Sequence, residues 1–139
     1  MSVETNVGTV QEAYEKFGNG DIKGMLPLFT DDVNWNIPEI ENAPFAGQRN
    51  GHDEVLEFFS LLAEAEEITR FEPLEFIAQG DKVVVLGESA ATVTSTGKSY
   101  QTDWVHVFHM RDGKIASFLE FFDNAAASRA FQKTASADA

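Results

Sequence analysis

The feature that most restricts the fold of this 139-residue chain is a change of hydrophobic period part-way along it. Val3, Val7, Val10, Tyr14 and Phe17 recur at steps of four and three, which makes one apolar stripe on a helix. Gly18-Asn19-Gly20 ends that helix. Asp21 caps a second short helix, Ile22 to about Phe29, which Pro27 bends or shortens. Val33, Trp35 and Ile37 alternate with polar residues as a short strand, and Pro38 and Pro44 mark an irregular stretch up to Gly51. Asn50 and Asp53 have capping-box spacing before a third helix, Asp53 to Glu67, with Val55, Phe58, Phe59 and Leu62 on its buried face. From Ile68 the period becomes that of strands: Ile68 to Gln79 with an interruption at Pro73, Lys82 to Val93, Ser99 to Met110 and Ile115 to Phe122. Gly80-Asp81, Thr94 to Lys98 and the hairpin signal Asp112-Gly113 are the turns between them. Asn124 to Phe131 is a closing helix capped by Asp123, with Asn124 as the competing cap, and Thr134 to Ala139 reads as a frayed tail.

Helices followed by an antiparallel meander imply an α+β domain with helices on one face of the sheet. Two strands of about 12 residues exceed the usual ~5–6 and must curl. A curled sheet under helices encloses a cone, and a cone open at one end is a place for a ligand. The length suits one domain, residues 1–139.

Composition removes several functions. There are no cysteines, so disulfides, thiolate metal sites and cysteine nucleophiles are excluded. Asp and Glu number 23 against 10 Lys and Arg, a net charge of −13 that repels phosphate backbones, so no nucleic-acid partner is expected. No signal peptide or membrane-spanning run is visible, so the expectation is a cytoplasmic protein with no membrane partner. No phosphate loop, dinucleotide fingerprint or Ser-His-Asp signature appears, and His52, His106 and His109 lack ligand spacing, so neither cofactor nor metal is expected. The 12 Phe and 2 Trp imply a large apolar interior, an apolar cavity or an oligomer contact.

Three fragments together carry a family resemblance. Gly20-Asp21 precedes an apolar helix and then Phe29-Thr30-Asp31-Asp32-Val33-Asn34-Trp35. Pro44-Phe45-Ala46-Gly47 leads through Gly51 and Val55 to Phe58-Phe59. Trp104, His106 and Phe108 precede Asp112-Gly113-Lys114-Ile115 and Phe121-Phe122-Asp123. From Val3 to about Phe131 the chain resembles the NTF2-like superfamily, and more narrowly its SnoaL-like, ketosteroid-isomerase-related branch. The resemblance implies the cone-shaped fold and a sheet-to-sheet homodimer. It does not select an activity, because this fold hosts isomerases, cyclases, epoxide hydrolases, dehydratases and non-catalytic binders.

Position by position, the resemblance removes two chemistries. Ketosteroid isomerases place a base just before the proline that ends the first strand; here that position is Ile37. Their first-helix tyrosine aligns with Ala13, and Tyr14 lies about 100° further round the helix. Their second oxyanion group aligns with His106. Limonene-type epoxide hydrolases need an Arg-x-Asp pair where this chain has Lys82-Val83-Val84, and their base on the last strand aligns with Glu120.

Strand alternation puts Tyr100, Thr102, Trp104, His106, Phe108 and Met110 on one face, with Asp103 and His109 on the other. His106 can polarise an oxygen or shuttle a proton there, or stand as a satisfied core histidine. Glu120, between Phe118 and Phe122, is the candidate acid/base if its face lines the cavity, or a strand carboxylate reaching solvent if it does not. Tyr14, Phe17, Trp35, Phe45, Phe58 and Phe59 are the wall candidates from the first half of the chain. Trp104, Phe108, Phe118 and Phe122 are those from the sheet. His52 is expected at the surface. Leu119 and Phe121 make the last strand apolar on its second face too, which calls for a like subunit. The expected activity is cofactor-free proton transfer on a small apolar molecule, namely isomerisation, cyclisation or dehydration. The alternatives are a non-catalytic binder of such a molecule and a dimeric scaffold with a filled cavity.

Overall fold

The computed structural model describes residues 2–133, so the expected tail from Thr134 to Ala139 lies outside the described residues. The elements in chain order are α1 (Val3–Gly18), α2 (Ile22–Met25), a 3-10 turn (Leu26–Leu28), β1 (Phe29–Ile37), β2 (Gly47–Asn50), α3 (Gly51–Ala65), β3 (Glu66–Gln79), β4 (Lys82–Val93), β5 (Ser99–Arg111), β6 (Lys114–Phe122) and α4 (Asn124–Phe131). The strands form one six-stranded sheet in the order β2-β1-β6-β5-β4-β3. Only β1 with β6 is parallel; the other neighbours are antiparallel. This is the α+β architecture expected.

Local chemistry sets the boundaries. Asp21 accepts from Gly24 N–H at 2.9 Å and starts α2, and Pro27 confines it to a single turn. Asp123 caps α4 through Ala126 N–H at 3.0 Å. Asp112 (φ 52°) and Gly113 (φ 77°) form the left-handed pair that joins β5 to β6.

Four expectations need correction. The stretch after Pro44 holds a short edge strand, β2, paired with β1 from Ile37↔Gly47 to Asn34↔Asn50. α3 begins at Gly51, and the capping residue opposite Asn50 is Glu54, whose Oε1 accepts from Asn50 N–H at 2.9 Å. α3 also ends at Ala65, so Glu66 opens β3 instead of closing a helix. β3 runs through Pro73 with a register shift between Pro73 and Glu75; it is an edge strand, where a missing N–H is tolerated.

α1 packs on β3, β4 and β6, and α3 on β1, β2 and β3, so both cover one face of the sheet. The core lies between, around Val10, Phe29, Val33, Val55, Val83 and Ile115. On the outer face, register pairs Ile77 with Val84, Val84 with Val107 and Val107 with Leu119, and a second row joins Leu86, Val105 and Phe121. Leu119 and Phe121 stand 38% and 53% exposed there. Among the described residues no helix is long and apolar enough to cross a membrane.

Candidate functional site

The antiparallel register of β5 and β6 sets Trp104 beside Phe122, His106 beside Glu120 and Phe108 beside Phe118. Register partners leave the same face of a sheet, so His106 and Glu120 meet directly on the covered face. His106 Nε2 lies 2.8 Å from Glu120 Oε2. From the facing helix α1, the Tyr14 hydroxyl lies 2.8 Å from His106 Nδ1. The three side chains therefore form one hydrogen-bonded line, Tyr14–His106–Glu120. His106 is 4% exposed, and Glu120 keeps 22% of its side chain open.

The protonation pattern follows from the partners. Burial, with the Glu120 charge adding to it, pushes the Tyr14 phenol far above its usual range, so Tyr14 keeps its proton and can donate it to Nδ1. In that tautomer Nε2 carries the other ring hydrogen and donates to Glu120. Rings fix the imidazole plane. Trp104 stacks on it at 3.9 Å and 16°, Tyr14 lies near-parallel at 5.9 Å and 15°, and Phe118 meets it edge-on at 4.6 Å.

These groups border a cavity of about 110 Å³, near the size of an engineered apolar void (roughly 150 Å³) that takes up benzene. His106 and Glu120 both line it. So do Tyr14 and Phe17 from α1, Trp35 from β1, Phe45 from the loop before β2, and Phe58 and Phe59 from α3. Phe108, Phe118 and Phe122 supply the sheet side. Trp104 does not line the cavity. It lies flat against β4 at Gly87, where a Cβ would sit 2.3 Å from its ring, and spends its faces on His106 and Phe71. Ile37 and Ala13, which stand where steroid isomerases carry their base and tyrosine, are apolar members of the same wall. Tyr14 nevertheless brings a hydroxyl to the site from the next helical position.

Two functional candidates have no counterpart in the sequence reading. Glu66, the first residue of β3, is 7% exposed and accepts a 2.6 Å hydrogen bond from the Tyr100 hydroxyl. Both line the cavity. Burial pushes Glu66 up from an ordinary 4.5 to about 7, against the lowering bond from Tyr100 and with a smaller push from the Glu120 charge. Burial, then the Glu66 charge, raises Tyr100 as well.

The remaining candidates are elsewhere. His52 is half-buried rather than at the surface, with Nε2 3.1 Å from Thr30 O, and so ties the start of α3 to β1. Asp103 and His109 are exposed on the outer face. Among the described residues no group of three or more His, Asp or Glu side chains is placed to hold a metal ion.

Comparison with known proteins agrees with this architecture. Residues 10–118 match the SnoaL-like domain. The chain belongs to the SnoaL-like domain family. A crystal structure of an NTF2-like protein from Burkholderia xenovorans LB400 is 36% identical, with a TM-score of 0.86 over 95% of this chain and 99% of that one. An NTF2-like protein of unknown function from Burkholderia pseudomallei K96243 is 34% identical, with a TM-score of 0.85 over 95% and 99%. TerC, co-crystallised with polyporic acid, is 32% identical, with a TM-score of 0.83 over 91% and 98%. None of the curated proteins matches. The SnoaL-like fold thus fixes the scaffold, and the hydrogen-bonded line of Tyr14, His106 and Glu120 lies inside it.

Proposed function

We propose that this SnoaL-like protein catalyses cofactor-free proton transfer on a small, largely apolar molecule bearing an enolic or phenolic hydroxyl. The observation that carries the reading is the Tyr14–His106–Glu120 line, two 2.8 Å contacts in series on the wall of an apolar cavity. With its proton directed at Nδ1, the Tyr14 oxygen has lone pairs left to accept from a ligand hydroxyl. As that hydroxyl gives its proton to Tyr14, Tyr14 passes its own to His106 Nδ1. The imidazolium is held beside the Glu120 carboxylate. The ligand is left as an enolate, nucleophilic at carbon. Return of the proton to that carbon completes a tautomerisation; attack of the carbon on a carbonyl, with the proton delivered to the new alkoxide, completes a ring closure. In this scheme His106 carries the proton and Glu120 holds and charges it.

The co-crystal of TerC with polyporic acid supports a small organic ligand in this fold at 32% identity. The test uses beta-tetralone, an apolar ketone that enolises. Proton NMR in deuterated water reads exchange of its acidic carbon-bound hydrogens, since the same groups must serve both directions of the transfer. Wild type should accelerate exchange, and Tyr14→Phe and Glu120→Gln should each lower that acceleration by about 10²–10⁴-fold. Tetralone that binds the wild type without faster exchange would instead establish the non-catalytic binder.

A further inference from the structure

Folding alone gives little reason for a carboxyl at position 66. The side chain is buried, no Lys or Arg pairs with it among the described residues, and a buried carboxylate without a cation is costly. Its one bond is to Tyr100, through Oε2. Glu66 Oε1 and the lone pairs of the Tyr100 oxygen have no other side-chain partner among the described residues, and both residues line the cavity. The pair is also distinct from the Tyr14–His106–Glu120 line. Tyr100 and His106 share the covered face of β5 with Thr102 and Trp104 between them, and Tyr100 lies beyond Trp104, the last β5 residue paired with β6.

We propose that Glu66 and Tyr100 form a second polar subsite of the cavity, which takes a hydroxyl group at the end of an apolar ligand remote from Tyr14 and His106. The inference rests on the proposed use of the cavity and narrows its ligand to a molecule with oxygen functions at two ends of an apolar body. Glu66 Oε1 accepts the remote hydroxyl, and the Tyr100 oxygen is a second acceptor beside it. The raised Glu66 carboxyl, at about 7, is what an unpaired carboxyl in such a wall shows.

Calorimetric titration of the full chain at pH 8 with naphthalene, naphthol and a dihydroxynaphthalene with hydroxyls on opposite rings tests this. Wild type should bind the diol about tenfold more tightly than naphthol, the effect of one charge-assisted hydrogen bond. Glu66→Met, which keeps the shape and loses the acceptor, should erase that gap. Glu66→Gln, which keeps a neutral acceptor, should narrow the gap and decides the matter if the Met variant does not fold. A diol no tighter than naphthol, or a gap that survives both substitutions, overturns the subsite. If naphthol binds and Tyr14→Phe weakens it while the diol gains nothing, only the second subsite falls. If none of the three probes binds the wild type, the proposed use of the cavity falls and the subsite falls with it.

Discussion

Glu66 makes the stability of this protein depend on pH in a way that one substitution isolates. Its carboxyl is lifted from 4.5 to about 7 in the folded chain. The folded state therefore holds a proton that the unfolded chain releases near 4.5. The stabilising contribution of that proton is complete below pH 4.5 and is lost as pH rises to about 7. Above 7 both states are ionised, and the folded state carries the buried charge at a cost of roughly 3 kcal/mol. Gln at position 66 cannot ionise, and its amide oxygen still accepts from Tyr100. The titratable groups that share the cavity, Tyr100 and His106 on β5, Glu120 on β6 and Tyr14 on α1, are present in both proteins and largely cancel in the difference. Urea unfolding followed by Trp35 and Trp104 fluorescence should give near-equal stabilities at pH 4.5. At pH 8 Glu66→Gln should be the more stable protein by roughly 2–3 kcal/mol, with the midpoint of the change between. A difference that stays flat from pH 4.5 to 8, or one that favours wild type at pH 8, refutes the claim that position 66 carries an uncompensated buried carboxyl.

Three further outcomes follow from the geometry. Gly87→Ala places a Cβ 2.3 Å from the Trp104 ring and 2.6 Å from Glu72 O, so it should lower stability by about 1–3 kcal/mol in urea melts and shift Trp104 fluorescence as the indole leaves His106. Glu120→Gln removes one of the charges that raise Glu66, so the pH midpoint of the Glu66-dependent stability should move down; an unmoved midpoint breaks the link between the two carboxyls. We propose that the homodimer expected from the sequence forms through the outer sheet face, where Leu119 and Phe121 stand exposed. Phe121→Glu should then halve the mass found by sedimentation equilibrium, and a monomeric wild type would remove that proposal.

Most of the scaffold was legible because its signals are local. Strand alternation from Lys82 to Phe122, the Asp112-Gly113 turn and the Asp21 and Asp123 caps each depend on neighbours in sequence, and each holds in the structure. The site was legible only where it follows from register. Alternation put His106 on the face with Phe108 and Trp104, but the direct contact with Glu120 depends on the pairing of β5 with β6, which no single strand reveals. The reach of Tyr14 was hidden for another reason. A helix position one step from the usual one differs by about 100°, and only the seating of α1 on the sheet decides where the hydroxyl lands. Glu66 was lost to a boundary. Read as the end of α3, it is one more acidic residue among Glu64 and Glu67; as the first residue of β3 it turns inward to Tyr100. Trp104 shows the converse, since its face was right and its neighbour Gly87 decided that it would support His106 and leave the cavity wall to others.

The charge around the cavity limits what can enter it. Among the described lining residues there are two carboxyls, Glu66 and Glu120, and no Lys or Arg. An anion arriving from water would meet both, with no fixed cation to offset its desolvation. A neutral ligand meets no such barrier, and in the proposed transfer it loses its proton after binding, with His106, 2.8 Å from both Tyr14 and Glu120, as the cation. The proposed mechanism thus separates the charge at entry from the charge during reaction. Under the proposed function a neutral hydroxylated molecule is admitted, and its conjugate base is held only while the imidazolium lasts. On that proposal the same balance opposes retention of any product that stays anionic, so turnover would require that the proton return to carbon or oxygen before release. That condition fits tautomerisation and ring closure and does not fit a reaction that ends in a free carboxylate.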